Sequence, residues 1–185
     1  MGEVNNFTGL NINQQKELRS QLNRKDIKTV LIGKISKRVE RAAVDTVLGV
    51  FKKMKFNGLP PKEIVISEGP IMLPEGGKAL ACYDFDTPPG TIRLSLELSR
   101  AEFEGPDRIP DEIAVAACAA HEAVEHVNVM KGKKTLSSRS AIPLEIHAAT
   151  KSEKEANKIA REVLEEKYGW KVYFGEELYL QDKNS

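Results

Sequence analysis

The stretch from Ile113 to His126 constrains this chain more than any other. Ile113-Ala114-Val115-Ala116-Ala117-Cys118-Ala119-Ala120 holds only small or apolar residues, so a helix made of it can be packed on every side. Pro110-Asp111-Glu112 opens that helix, with proline at its start and acidic residues in the first turn, where the dipole favours them. Gly132 ends it. The same helix then carries His121, Glu122, Glu125 and His126 within six residues. Ionisable groups on a buried helix cost desolvation, which is offset by a metal ion or by mutual pairing.

With 3.6 residues per turn, His121 and Glu125 share one face and Glu122 and His126 share the next. Zinc hydrolases commonly carry His-Glu-x-x-His, with ligand histidines four apart and the Glu as general base. Here His121 is one ligand and Glu122 the base, but Glu125 fills the second ligand position and the histidine arrives one residue late. Glu125 is in register and is the preferred second ligand. His126 is the alternative, reached only through a local π-bulge, because residues five apart diverge by roughly 140°. A His-Glu-Glu set is harder and more anionic, which weakens zinc and favours manganese or iron. The competing expectation is a helix whose charged groups satisfy one another with no metal.

Around this helix the chain reads as one α+β domain over residues 1–185, with 1–13 and 181–185 expected to be flexible. Helical turns are predicted over 14–23, carrying Leu18 and Leu22, and a longer helix over 28–55, ended by Gly58-Leu59-Pro60-Pro61. Strands are predicted at 64–66, 78–85 and 91–96, separated by Pro74-Glu75-Gly76-Gly77 and Thr87-Pro88-Pro89-Gly90. A short helix over 98–103, a helix over 142–167 and a late strand over 171–180 complete the order. Lys+Arg 28 against Asp+Glu 27 leaves no basic surplus for nucleic acid. The two cysteines make no disulfide framework, and Cys118 reads as a small core residue. There is no run of 18 apolar residues to span a membrane and no apolar signal core near the start, so the cytoplasm is expected.

Several short pieces share an order. Tyr83-Asp84, Ile92-Arg93-Leu94-Ser95, Ala119-Ala120-His121-Glu122, Arg139-Ser140-Ala141 and Pro143-Leu144-Glu145-Ile146-His147-Ala148 resemble the neutral zinc metallopeptidases of the YugP-like family. That family reads Tyr-Asp-Pro, Arg-Leu-Ser, Ala-Ala-His-Glu-Val-Gly-His, Arg-Ser-Ala and Pro-Val-Glu-Phe-Asp-Ala-Ser at these places. The resemblance covers the region from Val39 to Ala160 and runs without a gap from His121 to Ala141. It implies a minimal zincin: an N-terminal helix, a small, mostly antiparallel sheet, an active-site helix and a following Glu-bearing helix. It also implies hydrolysis of peptide bonds by metal-activated water, with His121 and Glu145 as ligands and Glu122 as base. The family's second ligand histidine falls on Glu125, its Glu-Phe-Asp aspartate falls on His147, and its membrane segments have no counterpart. The other implication is a catalytically inactive binding or regulatory module that keeps the fold, with or without metal.

Three further expectations concern the surroundings. His147 is read as a donor beside the site or a surface histidine, and Asp84 as a substrate-side or supporting carboxylate, with Arg93 available to pair with it or with a site carboxylate. Thr91 to Leu96 is read as the edge strand that would hold an extended peptide substrate. Glu153-Lys154-Glu155-Ala156-Asn157 is similar to the Glu-Ala-Asn run that other small zinc peptidases place after their His-Glu helix. It is read first as a solvated face and only secondarily as a ligand source.

Overall fold

In a computed structural model of the chain, residues 12–13, 27–84, 89–104, 108–133, 150–175 and 177 are described. The predicted turns at 14–23, residues 1–11 and 181–185 of the expected flexible ends, and the Glu145 and His147 positions lie outside them.

The first described element is a strand, not the start of a helix. Lys28–Ile32 (β1) is β-branched in composition, and Gly33 follows it at φ 87°, a left-handed turn that separates it from the helix. Ser36 then caps α1, Lys37–Lys53, by accepting the Val39 amide at 3.3 Å. Val39, Ala42, Ala43, Thr46, Val47, Val50 and Phe51 recur at helical spacing and form its buried stripe. The expected helix over 28–55 therefore shortens at its front, where β-branched sequence wins.

The strand β2, Glu63–Ser67, lies parallel to β1, with Lys28 opposite Glu63. Parallel neighbours need a crossover connection, which α1 supplies here. A two-stranded hairpin, β3 (Ile71–Met72) with β4 (Lys78–Ala79), precedes β5 (Ala81–Asp84) and β6 (Thr91–Ser95). β6 pairs parallel with β2 and antiparallel with β5, giving the order β1-β2-β6-β5. The class is α+β as expected, but the sheet is mixed rather than mostly antiparallel. The expectation counted β1 as helix and so missed one crossover. It also took β2 and the 78–85 strand for hairpin neighbours, whereas β2 pairs parallel with β6, and β5 lies on the far side of β6.

Alternation along the strands sorts the two faces. Ile64, Ile66, Tyr83, Ile92 and Leu94 enter the core with the helices. Cys82, Asp84 and Arg93 turn to the other face, where they line a cavity of about 440 Å³ with Val65 and Ile32.

Three further helices cover the core face. α2, Leu96–Glu102, is capped by Ser95, whose hydroxyl accepts the Leu98 amide at 3.1 Å. α3, Asp111–Met130, packs against α1, α2, β5 and β6 as well as against α4, Lys151–Tyr168. Every residue of α3 from Ile113 to Asn128 is buried except His121, whose side chain keeps 12% exposure. Cys118, as expected, is a core residue, its thiol pushed up by burial and within 3.4 Å of the Ser99 hydroxyl. Thr150 caps α4, and Gly169, left-handed at φ 71°, ends it and turns the chain back. The expected late strand over 171–180 is not formed at 171–174, which joins no sheet; 178–180 lie outside the described residues. No helix among the described residues is long and apolar enough to cross a membrane.

Candidate functional site

The burial that α3 imposes determines what its polar residues can do. His121 points at the first turns of α4, where Glu153 and Asn157, four residues apart, present one face. Its Nδ1 lies 2.8 Å from Asn157 Oδ1, and its Nε2 lies 3.1 Å from Glu153 Oε2. A carboxamide oxygen only accepts, so Nδ1–H donates to it. Nε2 then faces a carboxylate, and two lone pairs cannot face each other at that distance without a cation between them.

In the protein alone that cation is a proton. Burial works against charge on His121, but its bond to Glu153 and the carboxylates of Glu153, Glu122 and Glu125 outweigh this and raise it to about 10. Glu122, Glu125 and Glu153 are themselves buried, at 9%, 8% and 4% exposure. One imidazole is thus set among three carboxylates in a site shielded from water.

The same contacts test a metal ion. Two donors on one tetrahedral zinc lie roughly 3.3 Å apart, given bonds near 2.0–2.1 Å. The His121–Glu153 separation of 3.1 Å is close to that. The Nδ1–H held by a carboxamide is the arrangement that aims the other nitrogen at an ion. Imidazole with carboxylates suits zinc, manganese or iron. Among the described residues no group of three His, Cys, Asp or Glu side chains is drawn together closely enough to hold an ion unaided. Two donors, His121 Nε2 and Glu153 Oε2, therefore stand at ligand-to-ligand distance, and Glu125 acts on His121 through its charge.

His126 is a different kind of residue from the one its alternative ligand role requires. It is fully buried, packed between Phe51, Phe56 and Tyr83. Nε2 lies 2.9 Å from the Leu59 carbonyl and so must donate to it. Nδ1 therefore accepts from the Tyr83 hydroxyl at 2.8 Å, and that hydroxyl in turn accepts the Gly90 amide at 2.8 Å. Burial lowers His126 to about 4, against a weaker opposite effect of the Leu59 carbonyl. Both nitrogens are committed, and α3 is regular there, without the bulge a ligand role needs.

Asp84 is not brought to His121. It lies on the outer face of the sheet, 3.6 Å from Arg93, because its neighbour Tyr83 takes the inward position. Thr91–Ser95 is not an edge but is paired on both sides; among the described residues β1 and β5 are the outermost strands. The reading of Glu153 to Asn157 as solvated face fails for its two important members, since Glu153 and Asn157 are buried. The signal was available: Glu153, Ala156, Asn157, Ala160, Val163 and Leu164 form one core stripe, so two polar residues in it need a partner inside.

No protein-family model, curated protein or solved structure matches this chain.

Proposed function

We propose that this protein is a metal-dependent peptidase of zincin type, as the YugP-like resemblance implies, with its metal pair formed by His121 and Glu153. The observation that carries this reading is the pairing of a carboxamide-held Nδ1–H with an Nε2 that faces a carboxylate at 3.1 Å. Glu125, in register one turn beyond His121, would complete the set, with Glu145 as the further donor that the resemblance implies. Bound zinc, or manganese or iron, would lower the pKa of a water to near neutral and polarise a carbonyl. Glu122 would take the proton of that water and deliver it to the leaving amine. Asn157 holds the imidazole ring in place.

The second reading is an inactive module in which His121 and Glu153 form a permanent ion pair. It is favoured by the rise of His121 to about 10, which leaves the pair complete without metal.

Zinc titration of protein purified without chelator tests the two readings. Under the peptidase reading, His121→Ala and Glu153→Gln lose binding. Glu122→Gln keeps it but cuts peptide hydrolysis by about 10² or more. A wild type that binds zinc no tighter than an unrelated protein leaves only the ion-pair module.

A further inference from the structure

Any ion or substrate must reach His121 and Glu153, yet their side chains are only 12% and 5% exposed. Something must therefore move, and the chain beyond α4 lies across the imidazole. After Gly169 it doubles back, and Phe174 packs its ring 5.5 Å from the His121 ring and 5.4 Å from Phe103.

Among the described residues no strand pairing holds this segment. Instead Arg161 of α4 grips it at three points. Its Nε donates to the Val172 carbonyl at 3.2 Å, its guanidinium stacks on Tyr173 at 4.2 Å, and its Nη2 pairs with Glu177. Glu177 also accepts the Phe174 amide at 2.9 Å, and Glu102 accepts the Gly175 amide at 2.5 Å. The polar grips are side-chain contacts at partly exposed positions, so opening the segment costs the burial of two side chains, Val172 and Phe174 at 2% and 7% exposure, and leaves the rest of the core packed. On the reading that His121 and Glu153 form a ligand site, we infer that residues 171–175 are its lid, with Phe174 as the plug and Arg161 as the clamp. Opening lifts Phe174 from the imidazole while α3 and α4 stay packed.

Native-state amide hydrogen exchange of the full chain, read residue by residue by NMR, tests the lid. The Phe174 and Gly175 amides, held by Glu177 and Glu102, report opening of the segment, and the buried α3 amides around His126 report global unfolding. Arg161→Ala should speed exchange at Phe174 about tenfold or more, as expected when several hydrogen bonds are lost, shift the His121 ring resonances that face the Phe174 ring, and leave the α3 amides unchanged. Glu177→Gln, which keeps the stack on Tyr173, should give a smaller increase and serves where Arg161→Ala does not fold. Unchanged Phe174 exchange in the folded variants, or a parallel rise in the α3 amides, overturns the lid. Exchange is read with no metal present, so this outcome is separate from the zinc titration that decides the metal reading.

Discussion

His121 Nδ1 stands 2.8 Å from Asn157 Oδ1, and this single contact decides which end of the imidazole faces the buried carboxylates. Without it the ring could turn or change tautomer, and Nε2 would no longer be fixed toward Glu153. Asn157→Ala should lower metal affinity about 10–100-fold, the usual cost of removing such a partner. Asn157→Asp keeps an acceptor at that place and should recover most of the loss. Equal loss in both variants would make Asn157 a packing residue only.

The raised His121 gives the metal-free protein a defined pH dependence. With a folded value of about 10 against 6.5 unfolded, the folded state binds the proton more tightly. The stabilisation from the His121–Glu153 pair is therefore full below pH 6.5 and falls as pH rises from there through about 10. Imidazole resonances followed by NMR should show His121 still protonated at pH 8, and Glu153→Gln should bring its midpoint down. A midpoint near 6.5 in the wild type would contradict the pairing. Metal must displace this proton, so binding near neutral pH should release it to the buffer.

The sequence made the central helix legible because its pattern is extreme: alanine and valine on all sides and then four ionisable groups. It made the α+β class legible through alternation and turn chemistry. It did not make β1 legible, because Thr29-Val30-Leu31-Ile32 runs on into a helical stripe and only Gly33 and Ser36 mark the break. The partner of His121 was hidden for a related reason. Glu153 and Lys154 to Asn157 look charged in a linear reading, whereas every third or fourth residue lies against α3. His126 was ambiguous because its fixing contacts, Leu59 and Tyr83, are 67 and 43 residues away in the chain. No local pattern carries such distances.

Glu125 and His126 can be separated by substitution. Glu125→His restores two histidines four apart and should tighten zinc binding, since imidazole replaces a harder oxygen donor. His126→Leu should leave zinc affinity unchanged while lowering stability by about 1–3 kcal/mol, because the Leu59 carbonyl and Tyr83 hydroxyl lose their partner. Zinc titration together with chemical denaturation reads both effects. Loss of zinc binding on His126→Leu in a folded protein would reverse the assignment.

The last prediction concerns acid. His126 is held neutral in the fold at about 4, whereas the unfolded chain takes up its proton near 6.5. Between those values the unfolded state binds more protons, so stability falls as pH drops from 6.5 and levels off below about 4. A difference of this size corresponds to about 3 kcal/mol at full development. Protonation would also turn Nδ1 into a donor toward the Tyr83 hydroxyl, whose own proton then loses its acceptor in the core. Carboxylates titrate at the low end of the same range, so the quantity to follow is the difference between wild type and His126→Leu, by urea denaturation from pH 8 to pH 4.5. The wild type should lose stability faster over that interval, and the loss should begin near pH 6.5. Parallel curves for the two proteins would mean that His126 is not held neutral by its burial.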